Sequence, residues 1–271
     1  MNILESIILG IVQGLTEFLP ISSSGHLILL HDLFHWQTAD NLTFDVFLHW
    51  GTLVALIIFF YKDIIRYLKA FLKSLSQWDI KNDLDQKIAW LILISMIPAV
   101  IIGCFLEKVI DVLFRTSFAV AIFLILIAFV FFIVEKFSQK QKDLSSLNWS
   151  KALIFGFAQA VALIPGVSRS GITISTGLGL KLKREVAARF SFLMSIPVVF
   201  AAGLKKIYDL KDITLNNQEI MLYLVGFLST VLVGYFCIKF LLNYLKSHTL
   251  NIFAYYRLIL GALVLLYLMI K

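Results

Sequence analysis

The chain has 271 residues, of which 60% are hydrophobic and only 15% are charged, and its mean hydropathy is +0.89. Because about a quarter of the residues in a soluble globular protein are charged, this composition excludes an ordinary soluble domain and indicates an integral membrane protein. The net charge of +7 would suggest nucleic-acid binding in a soluble protein. Basic loops on the cytoplasmic side of a membrane explain it more simply, so no nucleic-acid partner is expected.

The first apolar piece of the chain is broken. Only helices and closed barrels satisfy the backbone in lipid, and the apolar runs lack the alternation of barrel strands, so an all-α polytopic membrane protein is predicted. Residues 3–19 and 25–35 are each too short to span ~30 Å of hydrocarbon. Together they predict a re-entrant helix–loop–helix whose loop, Pro20–Gly25, is called the first tip.

Six longer apolar segments follow, each near the ~20 residues that a crossing needs. They lie at 42–60, 88–106, 118–134, 186–204, 219–242 and 251–270. The 61–87 linker is interpreted as an amphipathic segment on the membrane surface. A second broken piece, 152–180, lies between the third and fourth segments, and its loop, Pro165–Gly171, is called the second tip.

The second broken piece repeats the first at a constant offset of 146 residues. Six positions match: Gly10, Gln13, Ser22, Ser24, Gly25 and Ile28 fall on Gly156, Gln159, Ser168, Ser170, Gly171 and Ile174. The chain is therefore predicted to be a single membrane domain of two halves, 1–135 and 150–271, each with one re-entrant element and three crossings. An odd number of crossings inverts one half relative to the other, as in inverted repeats whose broken helices meet near the midplane.

The charges of the loops predict the orientation. When the loops are assigned alternately to the two sides, 16 basic residues fall on one side and 6 on the other. The richer side is assigned to the cytoplasm. The first re-entrant element and the 31–41 linker then belong to the outside, and the second re-entrant element enters from the cytoplasm.

Both tips place small hydroxyl residues and a glycine before a restarted helix. Serine is a good N-cap and glycine permits close backbone approach, and a helix N-terminus offers free N–H groups to anions. Two such ends that converge would bind a phosphate or diphosphate. The alternative is close packing of membrane helices through small residues.

Three side chains near the tips, Arg169, Gln13 and Glu17, are candidates to bind charged groups. Arg169, in the second tip, has a fork that suits phosphate oxygens; the alternative is an ion pair with Glu17, and both roles are compatible. Gln13 and Glu17 share one helix face at a spacing of four. Their oxygens are a candidate site for a divalent cation, Mg²⁺ or Ca²⁺, beside substrate phosphates. A polar stripe between the repeats is the alternative.

Histidines supply the candidate proton carriers. His26 follows Ser23 by three residues, and an imidazole within reach acts as general base to a serine nucleophile or as acid to the leaving group. A structural histidine is the alternative. His49 and Arg257 are also ionisable and within apolar segments, but neither belongs to the repeat motif. They are interpreted as helix–helix contacts or interface anchors.

The stretches QGLTEFLPISSSGH and LIPGVSRSGIT resemble the two signature regions of the undecaprenyl-diphosphate phosphatase family of the bacitracin-resistance type. Length, repeat architecture and the MIPAVIIG and SIPVVFAAG segments extend the resemblance over essentially the whole chain. It implies removal of the terminal phosphate of undecaprenyl diphosphate, a polyprenyl lipid, which yields the carrier lipid of peptidoglycan synthesis. It also implies a site that opens to the outer face of the bacterial inner membrane.

The resemblance also implies roles for individual residues. By position, Ser23 is the favoured nucleophile and His26 the acid or base. Arg169 is the phosphate clamp and Glu17 the essential carboxylate. The expected substrate contacts are Ser22, Ser24, Gly25, Gln159, Ser168, Ser170, Gly171 and Thr173. Gln13 stands where many members have glutamate, which weakens the metal prediction. Attack by water in place of Ser23 stays open, as does assembly as a homo-oligomer.

Two other functions are considered. Inverted repeats with broken helices also build transporters, so a transporter or flippase for a polyprenyl phosphate or another anion is the alternative. A phosphatidic-acid-type phosphatase resembles the chain only at SGH. SRSGITISTGLG supplies neither the histidine nor the aspartate that such an enzyme needs after its serine–arginine pair.

Overall fold

The computed structural model describes residues 1–34, 36, 41–209 and 216–270, and within these ranges the regular structure is helical. The described residues form ten α-helices and one short 3-10 turn, Leu144–Ser146. The helices are α1 Ile3–Phe18, α2 Ser23–Phe34, α3 Asn41–Ser76, α4 Leu84–Phe114, α5 Ser117–Phe137, α6 Trp149–Val161, α7 Arg169–Gly179, α8 Arg184–Asp209, α9 Asn217–Tyr244 and α10 Asn251–Ile270. The all-α prediction is confirmed.

Six of these helices are long and apolar enough to cross a membrane: α3, α4, α5, α8, α9 and α10. They coincide with the six predicted crossings, so the chain is a multi-pass membrane protein. The predicted orientation rests partly on Lys211 and Lys271, which lie outside the described residues, as do His35 and residues 37–40 of the 31–41 linker.

Each predicted broken piece is a pair of short helices in contact, α1 with α2 and α6 with α7. Leu19 ends α1 in an extended conformation, because the residue before a proline is disfavoured in the helical region. The restart is the same in both halves: Ser22 and Ser168 have φ of 77° and 75°. The hydroxyl of each accepts a hydrogen bond from the glycine N–H three residues later, at 3.3 and 3.1 Å. The repeat therefore extends to the backbone, while the opposite orientation of the halves stays a prediction.

The first helix of each broken pair packs mainly against the second crossing of the other half, α1 on α9 and α6 on α4. Glycines at equivalent positions permit this. A Cβ at Gly10 would lie 2.4 Å from the Gly226 carbonyl oxygen, and one at Gly156 would lie 2.5 Å from the Ser95 carbonyl oxygen. Small residues let membrane helices approach this closely, and the two tips are thereby brought together.

Most of the 61–87 segment belongs to the two helices that flank it, α3 and α4. Residues 61–76 continue α3 beyond a local break at Phe60, where φ is −99° and ψ is 17°. Tyr67, Ala70 and Ser74 are buried on one side of this extension. The segment is thus amphipathic, as predicted. Its other side exposes a stripe of large apolar residues, Tyr61, Ile65, Leu68, Leu72 and Leu75, and its location on the membrane surface stays a prediction.

Candidate active site

A cavity of about 260 Å³ lies between the two tips. Helices from both halves contribute polar and apolar residues to its wall. Its polar residues are Glu17, Ser22, Ser23, Ser24, His49, Gln159, Ser168 and Arg169, and its apolar residues are Ala99, Ala162, Leu163, Val198 and Val199. The cavity therefore brings together three of the four predicted catalytic residues, Glu17, Ser23 and Arg169.

Three side chains donate hydrogen bonds to the carboxylate of Glu17. Its Oε1 accepts a hydrogen bond from Arg169 Nη2 at 2.8 Å. Its Oε2 accepts one from the Ser23 hydroxyl at 2.6 Å and one from Gln13 Nε2 at 3.2 Å. The predicted Glu17–Arg169 ion pair is therefore formed, and the Ser23 hydroxyl is directed at a carboxylate.

Neighbouring serines of the first tip have different surroundings. The Ser22 Oγ accepts hydrogen bonds from the N–H groups of Gly25 and Gly166, at 3.3 and 3.1 Å, and the residue is 1% exposed. The Ser22 oxygen thus links the two tips, because it accepts one hydrogen bond from each of them. Ser23 has its hydroxyl at the cavity and bonded to Glu17. The geometry favours Ser23 over Ser22 as the nucleophile.

The predicted substrate contacts divide into two groups. Ser24, Gln159 and Ser168 line the cavity together with Ser22. Four others lie behind its wall: Gly25, Ser170, Gly171 and Thr173 do not line it. They support the tips instead. The Ser170 hydroxyl donates to the Leu19 carbonyl at 3.3 Å, and Thr173 Oγ1 lies 2.6 Å from Ser191 Oγ.

Gln159 is a buried polar residue of the cavity wall whose amide is unpaired. Both polar atoms of its amide lack a hydrogen-bond partner although the residue is only 4% exposed. A buried polar atom without a partner costs about 1–3 kcal/mol. Such a group at a cavity wall points to a ligand that completes its hydrogen bonds.

The residues present do not fit a resident divalent cation. Within the described residues no group of three His, Cys, Asp or Glu side chains is placed to hold a metal ion. Glu17 is neutralised by Arg169, and Gln13 does not line the cavity. Gln13 Oε1 is a buried oxygen without a partner, so one protein oxygen is free beside Glu17.

His26 lies away from the cavity. Its Nδ1 is 2.7 Å from the Ser22 carbonyl, and its Nε2 is 2.7 Å from the Tyr256 hydroxyl. Because the carbonyl only accepts, Nδ1 carries the proton and Nε2 accepts from Tyr256. Both ring nitrogens are used in holding the first tip, so this geometry gives no support to His26 as the acid or base.

Two residues outside the repeat motif, His49 and Arg257, also contribute to the site. His49 lines the cavity, and its Nε2 lies 3.6 Å from Glu17 Oε2. Arg257 is fully buried, and its guanidinium donates to backbone carbonyls of both tips, at 3.1 Å to Pro20 and 2.7 Å to Gly166. Their ionisable side chains within apolar segments were the signal, since such groups mark functional sites by default.

Comparisons with known proteins identify the family. The family model described as bacitracin resistance protein BacA matches residues 6–263. The chain belongs to this family. An undecaprenyl-diphosphatase of Methanosphaera stadtmanae is 45% identical over 98% of both chains. Undecaprenyl-diphosphatases of Rubrobacter xylanophilus and Pelodictyon phaeoclathratiforme are 41% and 44% identical, over 97% and 98% of this chain and 97% and 96% of their own. Membership of the BacA family confirms the resemblance, and these relatives do not favour the transporter alternative.

Proposed function

We propose that this protein hydrolyses undecaprenyl diphosphate to undecaprenyl phosphate and inorganic phosphate. The carrier lipid is thereby recycled for peptidoglycan and other cell-wall polymers at the bacterial inner membrane. The names of the relatives support this activity. The observation that carries it is the Ser23–Glu17–Arg169 arrangement, in which a hydroxyl and a guanidinium contact the two oxygens of one carboxylate.

The first step uses Ser23 as the nucleophile. Its Oγ forms a bond to the terminal phosphorus while the bridging P–O bond breaks, and undecaprenyl phosphate leaves with the electron pair. Glu17 Oε2 accepts the hydroxyl proton through the existing 2.6 Å hydrogen bond. Water then attacks the phosphoserine, which releases phosphate and restores Ser23.

Arg169 supplies the positive charge that phosphoryl transfer requires. Phosphoryl transfer depends mainly on positioning and on stabilising the charge of the equatorial oxygens. A guanidinium has five N–H donors, so Arg169 contacts phosphate with those not used by Glu17 and by the Ser191 carbonyl. When Glu17 takes up the proton, its charge no longer competes for Arg169, and the guanidinium attracts the phosphoryl oxygens more strongly.

The remaining cavity residues place the diphosphate and its tail. The unpaired Gln159 amide and the Ser24 and Ser168 hydroxyls bind phosphate oxygens. The apolar wall, which includes Leu163 and Val199, accommodates the first isoprene units, and the rest of the tail stays in lipid. The site opens to the outer face, in agreement with the loop charges. Any divalent cation, Mg²⁺ or Ca²⁺, enters with the diphosphate.

Phosphate release from the purified protein tests this function. In detergent, without a second compartment, the wild type is expected to release one phosphate per undecaprenyl diphosphate. Arg169→Ala is expected to abolish release while it retains the helical circular dichroism of the wild type. Turnover near the wild-type rate in this variant would falsify the assignment, and a folded, inactive wild type would favour transport.

The covalent step has its own test. A rapid quench with substrate labelled at the terminal phosphate is expected to leave label on Ser23, identified by peptide mass spectrometry. Ser23→Ala is expected to carry no label and no activity. An active Ser23→Ala variant would show instead that water attacks the phosphorus directly.

A further inference from the structure

His49 is oriented by its own helix so that one ring nitrogen faces the cavity. It lies on α3, and its Nδ1 is 2.8 Å from the Asp45 carbonyl oxygen. A carbonyl oxygen only accepts, so Nδ1 carries the proton. The Asp45 carbonyl thereby fixes the tautomer of the neutral ring. In this tautomer Nε2 has a free lone pair. The side chain is 34% exposed, and the exposed part faces the cavity.

Glu17 by itself is a poor final acceptor for the Ser23 proton. Arg169 pairs with one of its oxygens, and Ser23 and Gln13 donate to the other. Each of these contacts stabilises the ionised carboxylate, because opposite charge and donated hydrogen bonds favour the charged form. A proton that reaches Glu17 therefore requires a further acceptor close by.

His49 is that acceptor by position. Its Nε2 lies 3.6 Å from Glu17 Oε2, the same oxygen that accepts from Ser23. In the part of the chain that the structure describes, the titratable or charged side chains that line the cavity with His49 are Glu17 from α1 and Arg169 from α7. The segments from α4 and α8 that line it contribute Ala99, Val198 and Val199.

We propose that His49 receives, through Glu17, the proton that Ser23 loses, and so is the final proton acceptor of the site. The proposal rests on the proposed phosphatase function. In the first step the proton passes from Ser23 Oγ to Glu17 Oε2 and on to His49 Nε2, and the imidazolium releases it to the departing phosphate or to water. In the second step the attacking water loses a proton to Glu17 and His49, the bond between phosphorus and Ser23 Oγ breaks, and Glu17 returns a proton to Ser23 Oγ through the hydrogen bond between them. Because His49 acts on the reacting groups only through Glu17, it is a positioning residue.

The test compares His49→Gln and His49→Ala with His248→Gln in the purified full-length protein. His248 is an exposed histidine in the connection between α9 and α10, so its replacement controls for the loss of an imidazole. Undecaprenyl diphosphate in detergent is the substrate. Because general acid–base catalysis contributes about 10²–10⁴-fold, both His49 variants are expected to lose about that factor in kcat with KM nearly unchanged. His248→Gln is expected to match the wild type.

Two further measurements distinguish proton transfer from a structural role. Wild-type kcat/KM is expected to fall at low pH, where the imidazole is already protonated, and this acid limb is expected to be absent in His49→Gln. Added imidazole is expected to restore part of the activity of His49→Ala and none of the activity of Ser23→Ala. His49→Gln keeps a polar side chain of similar size, so it remains informative if His49→Ala fails to fold.

The outcomes separate the inference from the function it rests on. Wild-type kcat in both His49 variants would overturn the role of His49 and leave the phosphatase function intact. A raised KM with an unchanged acid limb and no rescue by imidazole would also overturn it, in favour of substrate binding. A wild type and a His248→Gln variant that both release no phosphate would overturn the proposed function itself.

Discussion

The Oγ of Ser22 lies 3.1 Å from the backbone nitrogen of Gly166, so a side chain of the first tip accepts a hydrogen bond from the second tip. The adjacent Ser23 hydroxyl is directed at Glu17. One serine therefore joins the two halves while its neighbour serves the cavity. Ser22 holds this position with a φ of 77°, a strained conformation of about 1–3 kcal/mol that the surrounding contacts must outweigh.

Ser22 and Ser23 are expected to respond oppositely to replacement by alanine. Ser22→Ala leaves two buried N–H groups without an acceptor, which costs about 1–3 kcal/mol, so its thermal unfolding midpoint in detergent should fall. Ser23→Ala should keep the midpoint and lose hydrolysis. Unfolding curves and phosphate release on the same preparations check both. Equal midpoints for the wild type and Ser22→Ala would contradict the assigned role of Ser22.

The sequence predicted the acidic, hydroxyl and basic groups of the site, because polar residues at membrane depth stand out from an apolar background. It predicted the pairing of Glu17 with Arg169 but not the contacts of the other side chains. His26 and Ser23 are three residues apart, but the spacing does not reveal on which side of the helix the cavity lies. The structure places His26 against Tyr256, on α10. The repeat does not indicate a role for His49 in the site, because its counterpart at the 146-residue offset is Ser195.

The length of α3 was missed for a related reason. Charged residues beyond Tyr61 marked the end of the membrane crossing, but the end of the apolar segment is not the end of the helix. Residues 61–76 continue α3 because Tyr67 and Ala70 pack against the protein. The role of Arg257 could not be predicted, because its partners are backbone carbonyls of both tips. A pattern of side chains does not indicate such contacts. These features depend on tertiary packing.

The Glu17–Arg169 pair is expected to show strong energetic coupling. Arg169→Gln leaves a buried carboxylate without its counter-charge, which costs about 3–5 kcal/mol. In the Glu17→Gln/Arg169→Gln double variant neither charge remains, so destabilisation should be less than the sum of the single variants, with a coupling of about 0.5–3 kcal/mol. Thermal unfolding of the four proteins measures this coupling. Strictly additive effects would contradict a pair that is buried and direct.

Gln13 is expected to control the response to divalent cations. Gln13→Glu places a second carboxylate beside Glu17, and carboxylates are the preferred ligands of Mg²⁺ and Ca²⁺, so half-maximal activity should need a several-fold lower cation concentration. Gln13→Ala should leave that concentration nearly unchanged, since the cation enters with the diphosphate. Titration of Mg²⁺ and Ca²⁺ after removal of metal with a chelator measures both. A large loss of cation affinity in Gln13→Ala would indicate a resident site instead.

His31 is expected to make stability depend on pH. Its two ring nitrogens face acceptors, the Trp36 carbonyl at 2.6 Å and Asp45 Oδ1 at 3.1 Å, so only the imidazolium donates to both. Burial acts to lower the pKa of His31, but the hydrogen bond and charge of Asp45 outweigh it, and the pKa lies above its ordinary value of 6.5.

The sign of that dependence follows from the raised pKa of His31. The folded protein binds the proton more tightly than the unfolded chain. The stabilisation is therefore fully present below the ordinary value of about 6.5 and is lost as the pH rises through the raised folded pKa. The unfolding midpoint of the wild type should decline over this range, and Asp45→Asn should flatten the decline, whereas His248→Gln should preserve it. An unchanged slope in Asp45→Asn would show that another group titrates.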